Sequence, residues 1–451
     1  MREILALLQT IAPQLSKTTL RQMSQVIIGM LAASGRITML GLSRWTEKGG
    51  SYRTIQRFYT SKLPWQAIHW LFVRLKFLKP TDQYFIAGDE VVDSKAGKET
   101  YGLDRFFSSI QQRVISGLAF FTFSLVDVAA ERSYPLQMTQ VVRSAEEKAV
   151  SKAMKEAKKA EDKTGEKRKR GRPKGSKNKS KKEVVLNPEL VRIQTALKSL
   201  LDTIGSYLSL VYVVMDGHFG NYPSAYMVRS TDLHLISKMR SDAALYFPFE
   251  GEHKKPGPKP KHGEKIDVHA LPDKYLKETT TEDDLRTEIF QGQFINKEFD
   301  FPLNLVIVVK TNLKTSAQAH VILFSTDLEQ PYDQIIKFYS LRFQLEFNFR
   351  DAKQFWGLED FMNVKETAVT NAANLSLFMV NFTMALAEPF RKQNPVFSML
   401  DLKSHYRGCR YATEIIKMLP EKPDDILLAE IFQQIARLGA IHAVLQPVSS
   451  H

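Results

Sequence analysis

The chain has a single cysteine, Cys409, in 451 residues. One thiol excludes an intramolecular disulfide, and a zinc site would have to rest on histidines and carboxylates. The ten histidines are scattered, without the short pairings such a site wants. A reducing, cytosolic setting fits. Long apolar runs are also missing. The most apolar, Ile115–Val126 and Leu375–Ala387, fall short of the roughly 18–20 residues that cross a bilayer, so they read as a buried strand and a core helix. The N-terminal MREILALLQTIAPQL has no long apolar stretch leading to a small-residue cleavage site, and no signal peptide is expected. There is no convincing Ser/His or Cys/His pair for nucleophilic catalysis, and no internal repeat.

What the chain has in excess is positive charge. Its net charge is +14, and Lys152–Lys182 supplies +11 of it, from twelve Lys and three Arg against four acids. Such a balance favours an anionic partner. The hydrophobic fraction is 43% and the charged fraction 25%, as in ordinary soluble proteins. From 143 to 182 the chain is nearly devoid of apolar residues and cannot bury enough surface to order itself, so a flexible basic excursion is expected. Within it, Arg170-Gly171-Arg172-Pro173 matches the core of an AT-hook, whose arginines enter the narrow minor groove of A·T-rich DNA. A plain polybasic linker attracted to any polyanion reads the same residues equally simply. The Pro/Lys stretch Lys254–Lys261 is a second source of nonspecific phosphate contacts.

Taken in order, 1–80 is helical. Ser16, Thr38 and Ser51 are each placed to cap a helix. The last of these helices, YRTIQRFYTS, displays Arg53, Gln56 and Arg57 on one face. That is the pattern of a helix-turn-helix-like DNA reader, or of a helical bundle with a basic rim. Strands follow at Tyr84–Asp89 and Arg113–Asp127, separated by polar turn residues, and suggest an antiparallel ribbon. A helix at Pro188–Ser206 leads to a strand over Leu208–Met215 that ends at Asp216. Tyr222–Arg229 reads as a short helix and His234–Met239 as another strand. Residues 241–325, with strands such as Thr287–Phe294 and Leu303–Lys310, form a small β insertion. The remainder, from Glu366, is helical.

The stretch from Phe338 to Leu358 organises the rest. Read as one helix at about 100° per residue, it brings Tyr339, Arg342, Glu346 and Lys353 onto a single arc about 60° wide. Phe338, Leu341, Leu345, Phe349 and Ala352 fall on a separate apolar flank that can anchor it. A solvated face with an Arg342–Glu346 pair is the simpler alternative. Yet Tyr-x2-Arg-x3-Glu-x6-Lys resembles the signature of bacterial insertion-sequence DDE transposases of the "insertion sequence four" group. The likeness continues through Asp89-Glu90 with Lys95 and Gly97-Lys98, Asp216-Gly217, and Gly357-Leu358-Glu359-Asp360, covering roughly residues 20–390 in order. Val91 departs from it, because the family often has Thr after Asp-Glu, and the long basic segment departs too.

The resemblance implies an α/β fold: a ribonuclease H-like core with a β-strand insertion, a helical N-terminal domain and a helical C-terminal region. The divisions expected are 1–80, 81–240 (carrying the basic insert 143–182), 241–325, 326–390 and 391–451. It also implies that Asp89, Asp216 and Glu346 are catalytic and hold metal, with Asp93 as a rival to Asp89. Three carboxylates in one site raise one another's pKa unless a cation relieves them. Two Mg²⁺ ions, with Mn²⁺ as a substitute, are the cofactors expected for in-line phosphoryl displacement. Tyr339, Arg342 and Lys353 are expected to contact phosphates of the element end. The partner is double-stranded DNA, at element ends and target, with a dimer when assembled. The competing readings are a DNA-binding relative without catalysis and a ribonuclease H-fold nuclease acting on RNA–DNA hybrids.

Overall fold

The computed structural model of the protein describes residues 2–46, 49–108, 111–150, 184–251 and 262–442, together with 152, 153, 156 and 260. The Arg170/Arg172 hook and most of Lys254–Lys261 lie outside the described residues. All twelve strands among the described residues join one mixed sheet flanked by helices, a mixed α/β architecture. Within it β1 (Tyr84–Ser94) lies antiparallel to β3 (Arg113–Asp127) on one side and parallel to β5 (Tyr212–Met215) on the other. β2 (Asp104–Ser108) and β4 (Arg132–Gln140) pair with successive halves of β3. The sheet continues from β5 through β6 (His234–Met239), parallel, to β12 (Gln318–Ser325), antiparallel. Beyond β12 come β11 (Leu303–Asn312) and β10 (Leu285–Asn296); β7 (Leu245–Pro248) and β9 (Leu276–Glu282) pair with β10, and β8 (His262–Lys265) with β7. The strands of 241–325 therefore extend the central sheet through the β6–β12 pairing.

Alternation along each strand divides the core in two, as the two-residue period of a pleated strand requires. Phe85, Ala87 and Val91 of β1 and Val214 of β5 belong to one cluster, while Tyr84, Ile86, Val213 and Met215 belong to the other. The first cluster is covered by α8 (Tyr332–Leu341), α9 (Gln344–Gln354), α10 (Glu366–Gln393) and the N-terminal helices. The second is covered by α6 (Pro188–Ile204) and α7 (Tyr222–Arg229).

The N-terminal helices α2 (Lys17–Ala32), α3 (Met39–Ser43) and α4 (Tyr52–Thr60) are capped by Ser16, Thr38 and Ser51 as the sequence predicts. Each cap side chain accepts a backbone N–H from the first turn, satisfying a donor the helix itself cannot. Arg53 and Arg57 are exposed and Gln56 is half-buried. α5 (Trp65–Lys76) completes the layer. It is bound to α10 through Trp65, whose indole N–H donates to Asn371 at 2.7 Å. Asn371 in turn donates to the carbonyls of Tyr59 and Ser61.

α10 is longer than the apolar run suggested. Among the described residues it alone is long and apolar enough to cross a membrane, but 89% of its most apolar window is buried inside the protein. Asn374 and Asn381 on it donate to the carbonyls of Met138 and Pro135 on β4. Polar side chains bonded to a sheet mark it as the central core helix. The C-terminal α11 (Met399–Met418) packs on α2, and α12 (Asp425–Ile435) packs on α11.

The strand expected over Leu208–Met215 begins only at Tyr212, and two further local expectations change. β1 does not stop at Asp89 but runs five residues further, because β3 is long enough to pair with all of it, Asp89 opposite Thr122 and Ser94 opposite Gly117. The stretch from Phe338 to Leu358 is two helices rather than one. Between α8 and α9 the amides of Phe343, Leu345 and Glu346 reach back only three residues, to Ser340, Arg342 and Phe343. That tighter winding turns about 120° per residue, so a constant 100° step fails across the joint.

Candidate active site

Asp89 and Asp216 meet through the register of the parallel pair β1–β5. The last paired positions are Gly88 and Met215, so the next residue on each strand is the aspartate. Neighbouring strands lie about 4.8 Å apart, and side chains at equivalent register positions share a face. Parity sends both aspartates toward the cluster that α8 and α9 cover. Asp216 also ends its strand as a cap, accepting the N–H of His218 at 3.1 Å. Its carbonyl accepts from the Ser237 hydroxyl, which pins the turn to β6.

The helices arrive because their apolar flank is buried. Phe338, Leu341, Leu345, Phe349 and Ala352 are all at most 7% exposed. Phe338 stacks on Phe85 of β1 with ring centroids 4.7 Å apart. The polar side then faces the strand-end acids. Arg342, at the joint, donates to Asp89 at 2.8 Å and, at 3.4 Å, to Glu346 in the first turn of α9. Tyr339 lies beside Arg342, whose guanidinium carbon is 5.8 Å from the ring centroid.

Electrostatics register the crowding. The Asp89 carboxyl is pushed up to about 6, first by burial, with Arg342 opposing and with Asp216 and Glu346 adding to the rise. Burial raises the Tyr339 phenol, and Asp216 and Asp89 raise it further against Arg342. The sequence-predicted Asp89, Asp216, Glu346, Tyr339 and Arg342 are thus brought together from β1, β5, α8, α9 and the joint between the helices.

Lys353 is placed elsewhere. Its ammonium is 2.7 Å from Asp93 and 3.1 Å from Glu359, and donates to the Val92 carbonyl at 3.0 Å. Its side chain is 16% exposed and that of Asp93 is 0% exposed. Burial pushes the Asp93 carboxyl up, and Lys353 pulls it down. Arg53, Gln56 and Arg57 sit on α4 in the N-terminal layer. One cluster has almost no signature in the sequence. On the opposite face of β1, Glu90 is pushed up to about 7 by loss of solvation and by Glu189, and Glu189 pairs with His218 at 3.3 Å. Beyond the Asp89-Glu90 pair itself, its sequence signal is parity, since Glu90 directly follows Asp89.

The donor set fits a hard divalent cation. It offers carboxylate oxygens alone, the ligands Mg²⁺ and Mn²⁺ prefer, and a cation there would offset the burial, and the lesser repulsion from Asp216 and Glu346, that raise Asp89. In the arrangement described, the Arg342 guanidinium supplies the countercharge, bridging Asp89 and Glu346. Among the described residues no three acidic, histidine or cysteine side chains converge closely enough to enclose an ion.

The family model described as DDE superfamily endonuclease matches residues 10–293, which include Asp89 and Asp216 and end before Glu346. No match was found among curated proteins. Enzymes of this superfamily act on DNA with divalent metals. With well over half of its length matched, the chain belongs to the DDE superfamily endonucleases.

Proposed function

We propose that this endonuclease is a transposase of the insertion-sequence four group, which cuts DNA at the ends of its own mobile element and joins them to a target. The observation that carries the reading is the β1–β5 register, which sets Asp89 beside Asp216, with Glu346 reached from Asp89 through Arg342. The strand order, an antiparallel β3–β1 pair followed by parallel β5 and β6, supports a ribonuclease H-like core.

Asp89, Asp216 and Glu346 would hold the metal, as two Mg²⁺ ions or Mn²⁺ in their place. Ions bound there supply charge for activating the attacking oxygen and for neutralising the leaving one. The protein's own part is placement. Arg342 and Tyr339 share the site with the acids, so a phosphate drawn to the guanidinium comes to rest beside the carboxylates. Arg53, Gln56 and Arg57 would add contacts from α4, and Arg170 and Arg172 from the basic segment. Joining two ends calls for a dimer on DNA, in a cytoplasmic, nucleoid-associated setting.

The test is a strand-transfer assay with a duplex taken from the DNA flanking the coding region and a supercoiled target plasmid. Metal-dependent joined products are expected. Binding without cleavage would favour a silent DNA-binding relative, and cutting confined to RNA–DNA hybrids would favour a hybrid nuclease.

A further inference from the structure

We infer that Lys353 is a positioning residue that acts through the buried Asp93, clasping α9 to β1 so that Glu346 is held at a fixed distance from Asp89, rather than a contact to DNA. The inference rests on the reading of Asp89, Asp216 and Glu346 as the metal-holding acids.

Three observations carry it. First, α8 and α9 follow β1 in the same direction: Phe338 lies on Phe85, Arg342 reaches Asp89, and Lys353 reaches Val92 and Asp93. The spans match. Four residues of strand from Asp89 to Asp93 cover about 13 Å, and eleven of helix from Arg342 to Lys353 cover about 16 Å. Two ion pairs therefore fix the ends of one helical segment to one strand, and Glu346 lies between them. Second, the Lys353 ammonium is already engaged. It has three donors, and Asp93, Glu359 and the Val92 carbonyl surround it within 3.1 Å. Third, Lys353 is the main support of Asp93, with Lys95 a lesser positive charge nearby. Its side chain is fully buried, and neither of its oxygens accepts an aligned hydrogen bond among the described residues. The carboxylate therefore depends on the nearby charge of Lys353. A lysine serving phosphate would have to abandon a buried anion, which is costly in a low-dielectric interior.

The neighbouring lysine repeats the arrangement. Lys95, two residues past Asp93, donates to the carbonyls of Glu359 and Phe361 and lies 3.8 Å from the Phe361 ring centroid. Asp360, between them, accepts the N–H of Ile37 from the N-terminal layer. The turn after α9 is thus tied to β1 and to the N-terminal helices together.

The test compares Lys353→Gln, Asp93→Asn and the double variant in the full-length protein. Three readouts are needed: Mn²⁺ binding by calorimetry without DNA, the salt dependence of binding to a mixed-sequence duplex, and cleavage. A clasp predicts that each single variant weakens Mn²⁺ binding and cleavage at least tenfold. The double, which leaves a neutral pair of side chains able to hydrogen-bond, recovers both to within about threefold of wild type. DNA affinity at matched salt and its log–log salt slope stay at the wild-type value in every variant. A phosphate contact predicts the opposite. Lys353→Gln then lowers the slope by about 0.9, leaves Mn²⁺ binding intact, and is not rescued by Asp93→Asn; that result overturns the clasp. Should the singles fail to fold, the double decides alone, since a slope lowered by about 0.9 refutes the inference and an unchanged one supports it. Failure of the underlying reading shows instead in the wild-type protein, as absent cleavage and no Mn²⁺ heat that Asp216→Ala removes.

Discussion

Asp89, Asp216 and Glu346 differ in setting, and the site makes different demands on each. Asp89 is 20% exposed and Glu346 45% exposed in their side chains. Replacing any one by Ala is expected to lower plasmid cleavage by more than about 100-fold, beyond the loss usual for a residue that only supports a ligand. Gel-shift affinity for the same DNA should hold, because carboxylates repel phosphate and contribute nothing to its capture. Near wild-type cleavage by one variant would remove that residue from the site. The raised Asp89 carboxyl gives a second expectation, for the metal-free protein. Its folded value, about 6, lies above the ordinary 3.8. The folded state therefore holds its proton longer than the unfolded chain does, and Asp89's contribution to stability falls as pH rises from about 4 through 6. Thermal melts without metal should show that loss in the wild type and a shallower one in Asp89→Asn. Added Mg²⁺ should restore stability at the upper end of the window. Parallel wild-type and Asp89→Asn curves would mean that Asp89 does not titrate there.

At the scale of elements, the position of α9 depends on how it ends. Gly357 adopts a left-handed backbone, φ +76°, and the Leu358 N–H returns to the Ala352 carbonyl. A Cβ at Gly357 would lie 2.4 Å from the Cβ of Ile37, in the segment between α2 and α3. Glycine is thus required twice, for its conformation and for the close approach of the N-terminal layer. Gly357→Ala should cost about 2–4 kcal/mol, from left-handed strain and overpacking combined. Denaturant unfolding would measure it. A variant as stable as the wild type would show that the turn can relax around the added methyl. Cleavage should fall more than stability alone explains, because the same turn leads into Glu359 and Asp360.

At the scale of the whole molecule, the positive charge is concentrated in one stretch of the sequence. Most of the +14 lies in Lys152–Lys182, between β4 and α6 in sequence. Deleting that segment should leave the melting temperature nearly unchanged. Nonspecific DNA affinity should fall, with a salt slope shallower by about 0.9 for each phosphate that the deletion leaves unneutralised. Replacing only Arg170 and Arg172 by Ala separates an AT-hook from a polybasic tether. An AT-hook loses affinity selectively for A·T-rich duplexes, where the narrow minor groove concentrates negative potential. A tether acting by charge loses it equally on A·T-rich and G·C-rich DNA at matched salt, and equal losses would dispose of the hook.

What is local could be read directly from the residues. Caps at Ser16, Thr38 and Ser51 follow from a hydroxyl answering the first free N–H groups of a helix. The apolar flank of Phe338, Leu341, Leu345, Phe349 and Ala352 follows from periodicity, which each residue carries in its own position. Even the alignment of Asp89 with Asp216 was half legible, as two acids each preceded by an apolar strand. Tertiary structure decided the rest. How far β1 continues past Asp89 depends on β3, which offers partners as far as Gly117, and no property of Val91 or Asp93 announces it. The joint at Arg342 and Phe343 arises where the two helices fit the sheet, so side-chain angles counted along one ideal helix drift beyond it. Lys353 shows the same limit most sharply. Its type and spacing suit a phosphate, but the carboxylate that claims it lies 260 residues away in sequence, on the buried face of another element.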